Sequence, residues 1–433
     1  MEALHNPRED ALVRIGIGHK ALFAANSMAI GKKSNAVNCP SPGPRRLQGV
    51  MQRFLNKFLG IGLTTIHLLV FSSAQSQTLP QKDGRPLMPD DWLFSSGQSF
   101  HYHVPASNNG RRLLERSATP KEAKAIEEIE RYFSNIASKA YLLGDGEHIV
   151  KVSFKAPASA TSTFLSASVD KTVTAMSAGI AVCDGKIKMN TKAKELLPEL
   201  AGTHIGESTL KDNLMMASGT VNALDDSQSL TKDEVNGLVT GKISFMDLLK
   251  GRLGKQQGWQ NPGEKFSYKT QDPTLVGMLV SAAYGKNGKD FREWQTDYFF
   301  SKVGLNDRRS QGRDQFGYAW AEGNTRLTLN DWARFALFVQ ESRRKDDCYG
   351  EFVRNATTTQ IKTDRRFARM YGGYGYLTWT ENDDLPNSYS ALGYGGQAIV
   401  WSTKNDKYFI VFSNNINPPE IHKMARLWLQ AQE

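Results

Sequence analysis

The stretch that decides the fold is Ser168-Val-Asp-Lys171, which opens the apolar run Thr172-Val-Thr-Ala-Met-Ser-Ala-Gly-Ile-Ala-Val-Cys183. A serine hydroxyl is a weak nucleophile at neutral pH and needs a base. Residues three apart share one face of a helix, so we expect the amine of Lys171 near Oγ of Ser168. Burial and the positive end of the helix both disfavour a protonated amine, so we expect Lys171 to be neutral and to act as that base.

Three other segments have the same spacing of serine and lysine, but they differ in context. They begin at Ser208, Ser229 and Ser342 and lie in polar stretches. Only Ser168 is followed by residues that are apolar nearly all round, as in a buried helix. Ser168 and Lys171 are therefore the candidate catalytic pair.

Further blocks follow the motif in a fixed order. They are Leu197-Pro-Glu199, Thr209–Gly219, Asn261-Pro-Gly-Glu-Lys-Phe-Ser-Tyr268 with Leu275-Val-Gly277, Gly323–Phe335 and Gly393-Tyr-Gly-Gly-Gln397. Together with Ser168–Ile187, which looks like a nucleophile helix and a following strand, they resemble the β-lactamase-related serine hydrolases. The resemblance is greatest to the class C-like branch, which includes 6-aminohexanoate-dimer hydrolases and family VIII-type esterases, and it covers roughly residues 85–433.

The resemblance implies a β-lactamase/transpeptidase-like fold of the α/β (α+β) class. An antiparallel sheet would be flanked by helices, with an all-α insert at approximately 190–305 and the active site in the crevice between them. It also implies a serine hydrolase that cleaves an ester or linear amide through an acyl-enzyme, without a cofactor. The alternatives are a β-lactamase or D-aminopeptidase-like protein, and a non-catalytic sensor that uses the same pocket.

Tyr268 and Thr270 occupy the block that reads Tyr-x-Asn or Tyr-x-Ser in this family. A tyrosine beside a lysine can pass the proton between nucleophile and leaving group, so the resemblance implies that Tyr268 completes the catalytic set. Thr270 stands where the strict β-lactamase pattern has asparagine. It removes an amide that would hold a substrate carbonyl, which argues against β-lactam specificity.

The last block, Gly393-Tyr394-Gly395-Gly396-Gln397, corresponds to the family's Lys-Thr-Gly, His-x-Gly or Trp-x-Gly strand edge. Paired glycines let substrate and backbone approach closely. By the family's geometry, the backbone N–H groups of Ser168 and Gln397 would form the oxyanion hole. Tyr394 brings no lysine charge to hold a substrate carboxylate. The alternative interpretation is a tight turn between two strands.

Other chemistries find little support in the sequence. There is no Gly-x-Ser-x-Gly elbow, and Gly237–Lys242 is one residue short of a phosphate-binding loop. His101 and His103 have no third ligand beside them, so we expect no metal site. Residues 1–74 carry nine Lys and Arg against three Asp and Glu, so +6 of the net charge of +10 lies there. The remaining excess is modest, and we expect no nucleic-acid partner.

Residues 51–74 have the pattern of a secretory signal peptide. A basic start at Met51–Arg53 precedes the apolar run 58–71, and small residues end at Ala74. The run is shorter than the roughly 20 residues of a membrane span, so we expect no stable span after the signal is removed. Residues 1–50 are then either a non-native extension before the true start or a disordered basic tail. We expect a hydrolase of residues 75–433 that is periplasmic or secreted and acts on a small molecule.

Two cysteines, Cys183 and Cys348, lie in the hydrolase region. A disulfide is compatible with export. Because Cys183 follows an apolar helix, we expect a buried free thiol instead.

Local patterns predict several further elements. A helix is expected from Thr119 to about Leu142, and a strand over 147–155. Strands are also expected over 374–380, 397–402 and 408–413, with a closing helix over 420–432.

Overall fold

A nine-stranded sheet forms the centre of the protein. The computed structural model describes residues 81–82, 85–86, 101–107, 109–221, 230–414 and 419–432, which belong to one compact unit. The predicted signal peptide and the predicted extension before it lie outside the described residues. The strands are β1 (Gln81–Lys82), β2 (Arg85–Pro86), β3 (His101–Val104), β4 (Leu114–Glu115), β5 (Ser138–Asp145), β6 (His148–Phe154), β7 (Thr163–Leu165), β8 (Arg309–Gly312), β9 (Thr325–Thr328), β10 (Ile361–Lys362), β11 (Tyr371–Tyr374), β12 (Trp379–Asn382), β13 (Leu385–Gly393), β14 (Gln397–Ser402) and β15 (Lys407–Ser413).

The large sheet has the order β10-β11-β12-β13-β14-β15-β5-β6-β4. All its neighbouring strands are antiparallel except β4 and β6. A second, four-stranded antiparallel sheet has the order β3-β8-β9-β7, and β1 pairs with β2. This arrangement confirms the predicted antiparallel sheet of a β-lactamase/transpeptidase-like fold.

Helices cover both faces of the large sheet and form the middle of the chain. They are α1 (Pro120–Asn135), α2 (Val169–Cys183), α3 (Ala193–Leu196), α4 (Leu210–Leu214), α5 (Lys232–Thr240), α6 (Phe245–Lys250), α7 (Gln271–Ala283), α8 (Phe291–Trp294), α9 (Phe300–Val303), α10 (Leu329–Arg344), α11 (Cys348–Ala356) and α12 (Pro419–Gln430), with a π-helical turn at Gln295–Phe299. The described part of 193–303 consists of helices, short 3₁₀ turns, loops and isolated bridges.

The side chains of β15 show how the sheet is buried. Successive residues of a strand point to opposite faces. Phe409 and Val411 pack with α1 and α12, whereas Ile410 and Phe412 join the core that contains α2 and α10. A strand covered on both faces is a continuous apolar run, which is why 408–413 is recognisable as a strand.

The predicted helix from Thr119 to Leu142 is too long. Its start is correct, because Thr119 and Glu122 form a capping box, but α1 ends at Asn135 and residues 138–145 form β5. β5 is buried on both faces between β15 and β6. Periodicity alone cannot distinguish such an apolar run from a buried helix.

Two other strand predictions also need correction. Residues 374–380 contain the end of β11, a turn in which Leu377 has a φ of +50°, and the start of β12. Tyr374 pairs with Trp379 across that turn. The strand expected after the nucleophile helix is absent, because the chain turns at Gly185, where φ is +68°.

The expectation of a free thiol at Cys183 is wrong. Cys183 forms a disulfide with Cys348. The bond joins the last residue of α2 to the first residue of α11, two elements 165 residues apart in sequence. The apolar run before Cys183 misled the prediction, since the helix is buried but its last residue is only half-buried.

Within the described ranges, every helix is too short or too polar to cross a membrane.

Candidate active site

Ser168 stands where strand β7 turns into helix α2. Just before it, Ala167 adopts a left-handed φ of +42°, which costs a residue with a Cβ about 1–2 kcal/mol. Ser168 is the N-cap of α2, yet its side chain caps no backbone N–H of the helix. The hydroxyl instead meets Lys171, whose Nζ lies 2.9 Å from Ser168 Oγ. The structure thus brings the predicted catalytic pair into hydrogen-bond contact.

Lys171 has a second partner that the sequence did not suggest. Its Nζ donates to the main-chain oxygen of Glu322 at 2.9 Å and to the Glu322 carboxylate at 3.1 Å. Both side chains are buried, with exposed fractions of 2% for Lys171 and 9% for Glu322. A buried carboxylate therefore lies directly against the lysine.

This carboxylate changes the expected charge of Lys171. Burial lowers the pKa of the amine, but the Tyr268 phenol and the Glu322 carboxylate raise it, and the pKa ends above its ordinary value. The expectation of a neutral Lys171 rested on burial and the helix end alone. It is wrong for the resting site, because Glu322 favours the ammonium form.

Tyr268 lies over Lys171, with Nζ 5.0 Å from the centre of its ring. The ring is fixed by aromatic neighbours: Phe367 stacks on it at 4.1 Å between centroids and Trp379 at 5.3 Å. Tyr268 is buried, just before helix α7, which packs against α2. The structure thus brings Ser168, Lys171 and Tyr268 together at the N-terminal ends of two adjacent helices.

Thr270 is the residue immediately before α7, and it is half-buried. Its side chain makes no capping hydrogen bond to the helix.

The block 393–397 forms the end of the β13–β14 hairpin. Tyr394, Gly395 and Gly396 are its turn, and both glycines have a φ above +80°, a conformation that glycine adopts without strain. The tight-turn interpretation therefore describes the local structure. The hairpin also packs closely against the segment just before the nucleophile, because a Cβ placed on Gly393 would lie 2.5 Å from the carbonyl oxygen of Ser166.

Gln397 and Tyr394 differ in what their side chains do. The Gln397 amide donates to the carbonyl oxygens of Ser413 and Tyr394 and accepts from the Ser413 N–H, so it ties β14 to β15. The Tyr394 ring is half-buried, and burial raises the pKa of its phenol to about 12. At neutral pH Tyr394 therefore brings no charge to the hairpin.

A buried ion pair holds the segment 320–325 against α2. Asp170 accepts from Arg292 at 2.8 Å, from the Asn324 N–H at 3.2 Å and from the Thr325 hydroxyl at 2.7 Å. Arg292 also donates to the carbonyl oxygen of Trp320. The side chains of Asp170 and Arg292 are fully buried. The second residue after the nucleophile thus positions the segment that carries Glu322.

Sequence reasoning missed Asp170, Arg292 and Glu322. Asp170 carried a signal, since a charged residue at the start of an apolar helix is seldom buried without a partner. Glu322 directly precedes the block that begins at Gly323, but no spacing rule connects it with Lys171. Within the described ranges, no three His, Cys, Asp or Glu side chains are grouped so that they could hold a metal ion.

Comparison with known proteins identifies the family and supports the fold. The Beta-lactamase family model matches residues 138–433. A 6-aminohexanoate-dimer hydrolase of Paenarthrobacter ureafaciens is 22% identical over 332 residues, which are 70% of this chain and 82% of that protein.

Solved structures share the fold at low sequence identity. A Bacillus anthracis protein provisionally described as a 6-aminohexanoate-dimer hydrolase has a TM-score of 0.61 at 16% identity, over 78% of this chain and 92% of its own. A class C β-lactamase has a TM-score of 0.55 at 12% identity, over 73% of this chain and 98% of its own. A penicillin-binding protein of Bacillus halodurans has a TM-score of 0.53 at 16% identity, over 70% and 98%. Since the family model matches well more than half of the length of this chain, the chain belongs to the β-lactamase family of serine hydrolases.

Proposed function

We propose that this protein hydrolyses a small ester or linear amide through an acyl-enzyme formed on Ser168. The observation that carries the proposal is the 2.9 Å contact between Lys171 Nζ and Ser168 Oγ, with the Tyr268 ring beside the amine. A nucleophile in contact with a base that is itself oriented by a third group is the arrangement that nucleophilic catalysis requires.

The reaction divides into two displacements. Ser168 Oγ attacks the carbonyl carbon while its proton passes to the Lys171–Tyr268 pair. Collapse of the tetrahedral intermediate expels the alcohol or amine, which takes that proton. Water then attacks the acyl-enzyme by the same route in reverse and releases the acid. The N–H of Ser168 and a backbone N–H of the 393–397 hairpin, assigned by family resemblance to Gln397, stabilise the oxyanion.

Two residues of the family blocks and one relative support the proposed substrate class. Tyr394 stands where β-lactamases have a lysine, and Thr270 stands where they have an asparagine. Small esters and linear amides need neither contact. The hydrolase of Paenarthrobacter ureafaciens, by its name, acts on a dimer of 6-aminohexanoate. A β-lactam or D-peptide is the second candidate substrate.

Covalent labelling tests the nucleophile. A fluorophosphonate should add to Ser168, as shown by peptide mass. Ser168→Ala and Lys171→Ala should each lower turnover by several orders of magnitude, and the double variant should be little worse, because residues that act as a unit are strongly non-additive. Ser208→Ala is the matched control, since Ser208 belongs to another Ser-x-x-Lys segment and is fully buried. Labelling at Ser208 would refute the assignment.

Steady-state kinetics test the substrate class and the enzyme itself. We expect kcat/KM for p-nitrophenyl butyrate to exceed that for nitrocefin by at least about a hundredfold, or roughly 2.7 kcal/mol of transition-state binding. Comparable values would refute the interpretation of Tyr394 and Thr270. A single burst of p-nitrophenol without further turnover would indicate a sensor that is acylated once.

Export is a separate proposal, supported by the disulfide. Bonds such as Cys183–Cys348 persist in oxidising compartments and are rare in a reducing cytosol. We therefore propose that the protein is periplasmic or secreted. Expression from Met51 should yield a mature chain that begins near Gln75, as determined by N-terminal sequencing. A mature N-terminus within residues 1–50 would contradict this.

A further inference from the structure

Three oxygen atoms surround the amine of Lys171. Nζ lies 2.9 Å from Ser168 Oγ, 2.9 Å from the main-chain oxygen of Glu322 and 3.1 Å from its carboxylate oxygen Oε2. A lysine amine has three bonding directions besides its Cε, so these oxygens can use all of them. An ammonium group donates along three directions, as Lys171 can here. A neutral amine donates along two and keeps a lone pair for the third.

The two oxygens of Glu322 decide where that lone pair points. One is a carbonyl oxygen and the other belongs to a carboxylate, and both only accept hydrogen bonds. The two N–H bonds of a neutral Lys171 are therefore directed at Glu322. The lone pair is left facing Ser168 Oγ, the one oxygen of the three that has a proton to give. The same arrangement of heavy atoms serves before and after the proton moves.

Glu322 is itself held in place by buried contacts. Trp320 Nε1 donates to its other carboxylate oxygen at 2.8 Å. The backbone on either side is fixed to α2, because Thr174 donates to the carbonyl oxygen of Ala321 and Asn324 donates to Asp170. Rotation of the carboxylate away from Lys171 would break its bond to the indole.

We propose that Glu322 is a positioning residue of this active site, which directs the Lys171 lone pair at Ser168 and balances the charge of the amine. The proposal rests on the proposed function, since it assumes that Ser168 gives its proton to the Lys171–Tyr268 pair. The charged and titratable groups that face Lys171 are Glu322, from the segment before β9, and Tyr268, from the turn before α7. Asp170, on α2 itself, is compensated by Arg292.

The charge of Glu322 makes the inference measurable. The site is active once Lys171 has lost a proton, so activity rises with pH. A negative charge nearby makes that loss harder, so the acidic limb of the pH profile lies at a higher pH. Glu322→Gln removes this charge. A neighbouring charge commonly shifts a pKa by about 1–3 pH units, so the acidic limb should move to lower pH by about that amount. A glutamine also offers only one acceptor for two donors, so the plateau rate should fall by about 10–100-fold through misorientation.

The experiment measures the rate of the p-nitrophenol burst from p-nitrophenyl butyrate between about pH 6 and pH 11. Glu122→Gln is the matched control, since Glu122 is equally buried and ion-paired, with Arg116 and Lys407. It should keep the wild-type limb and plateau, although it loses stability. A Glu322→Gln limb at the wild-type position would overturn the inference, because a merely structural role leaves the limb unmoved.

Two further variants test the inference in case Glu322→Gln misfolds. Thermal unfolding of each variant would reveal misfolding. Glu322→Asp and Trp320→Phe both keep the charge but lose the orientation, so each should lower the plateau with little shift of the limb. A wild-type plateau in both would also overturn the inference. These outcomes are separate from the labelling test. If Ser168 reacts with fluorophosphonate but the Glu322 variants behave as wild type, only the proposal for Glu322 is refuted.

Discussion

Asp170→Asn tests whether the buried ion pair beneath the nucleophile supports the site. The substitution keeps the shape of the side chain but removes its charge. The substituted amide could still accept from Arg292 through its oxygen and donate to the Thr325 hydroxyl, so the hydrogen bonds of this position are largely conserved. The chief loss is therefore the negative charge that compensates Arg292.

The structure sets the size of the effect. Both side chains are fully buried, with 2.8 Å between Arg292 Nη2 and Asp170 Oδ2. Removing one partner of such a pair leaves an uncompensated buried charge, which destabilises by about 3–5 kcal/mol. The entropy of unfolding is about 2.1 cal/mol/K per residue, so in a chain of 433 residues 1 kcal/mol corresponds to about 1 °C of melting temperature, and we expect Tm to fall by about 3–6 °C.

Scanning calorimetry of wild type and Asp170→Asn measures this fall, with Asp383→Asn as the matched control. Asp383 makes the same kind of pair with Arg365, but the two side chains are 58% and 44% exposed. Exposed pairs contribute little, so the control should shift Tm by no more than about 1 °C. Equal shifts in the two variants would refute the reasoning. Asp170→Asn should also slow acylation of Ser168, because the segment that carries Glu322 loses its anchor.

Three further predictions concern the disulfide, the aromatic neighbours and the hairpin. Replacing Cys183 and Cys348 with serine should destabilise the protein by about 2–4 kcal/mol, measured as a fall in Tm, while labelling of the nucleophile persists; an unchanged Tm would contradict it. Phe367→Ala uncovers one face of Tyr268 and should raise kcat/KM for p-nitrophenyl hexanoate relative to the acetate by about tenfold. An unchanged ratio would show that the Phe367 ring does not limit the space for the acyl chain of the substrate. Gly395→Ala places a Cβ at a φ of +82° and should cost about 1–2 kcal/mol of stability together with activity, whereas wild-type behaviour would exclude a role for the turn.

Much of the site was predictable because its parts are local. Ser168 and Lys171 are three residues apart, and helical geometry alone places them side by side. Tyr268 was found through its block, since nothing in its immediate spacing ties it to a lysine 97 residues earlier. The strands 397–402 and 408–413 were recognisable because their composition suits a sheet.

The parts that failed depend on tertiary contacts. Glu322 reaches Lys171 across 151 residues, and only the packing of two elements makes them neighbours. The charge of Lys171 was misjudged for that reason, as was the thiol of Cys183, whose partner lies 165 residues away. β5 was mistaken for helix because burial on both faces removes the alternation that marks a strand.

The pairing of β15 with β5 has a consequence for how the chain is made. Residues 407–413 lie beside residues 138–145 in the interior of the large sheet, so the last strand among the described residues fills a central place. A chain in which residues 407–413 have not yet been synthesised has β5 paired with β6 on one side only. Pairing between segments so far apart in sequence is slow, so the two halves of the sheet join late in folding. A truncation before Lys407 would thus leave two separate half-sheets with exposed edges, a species prone to aggregate.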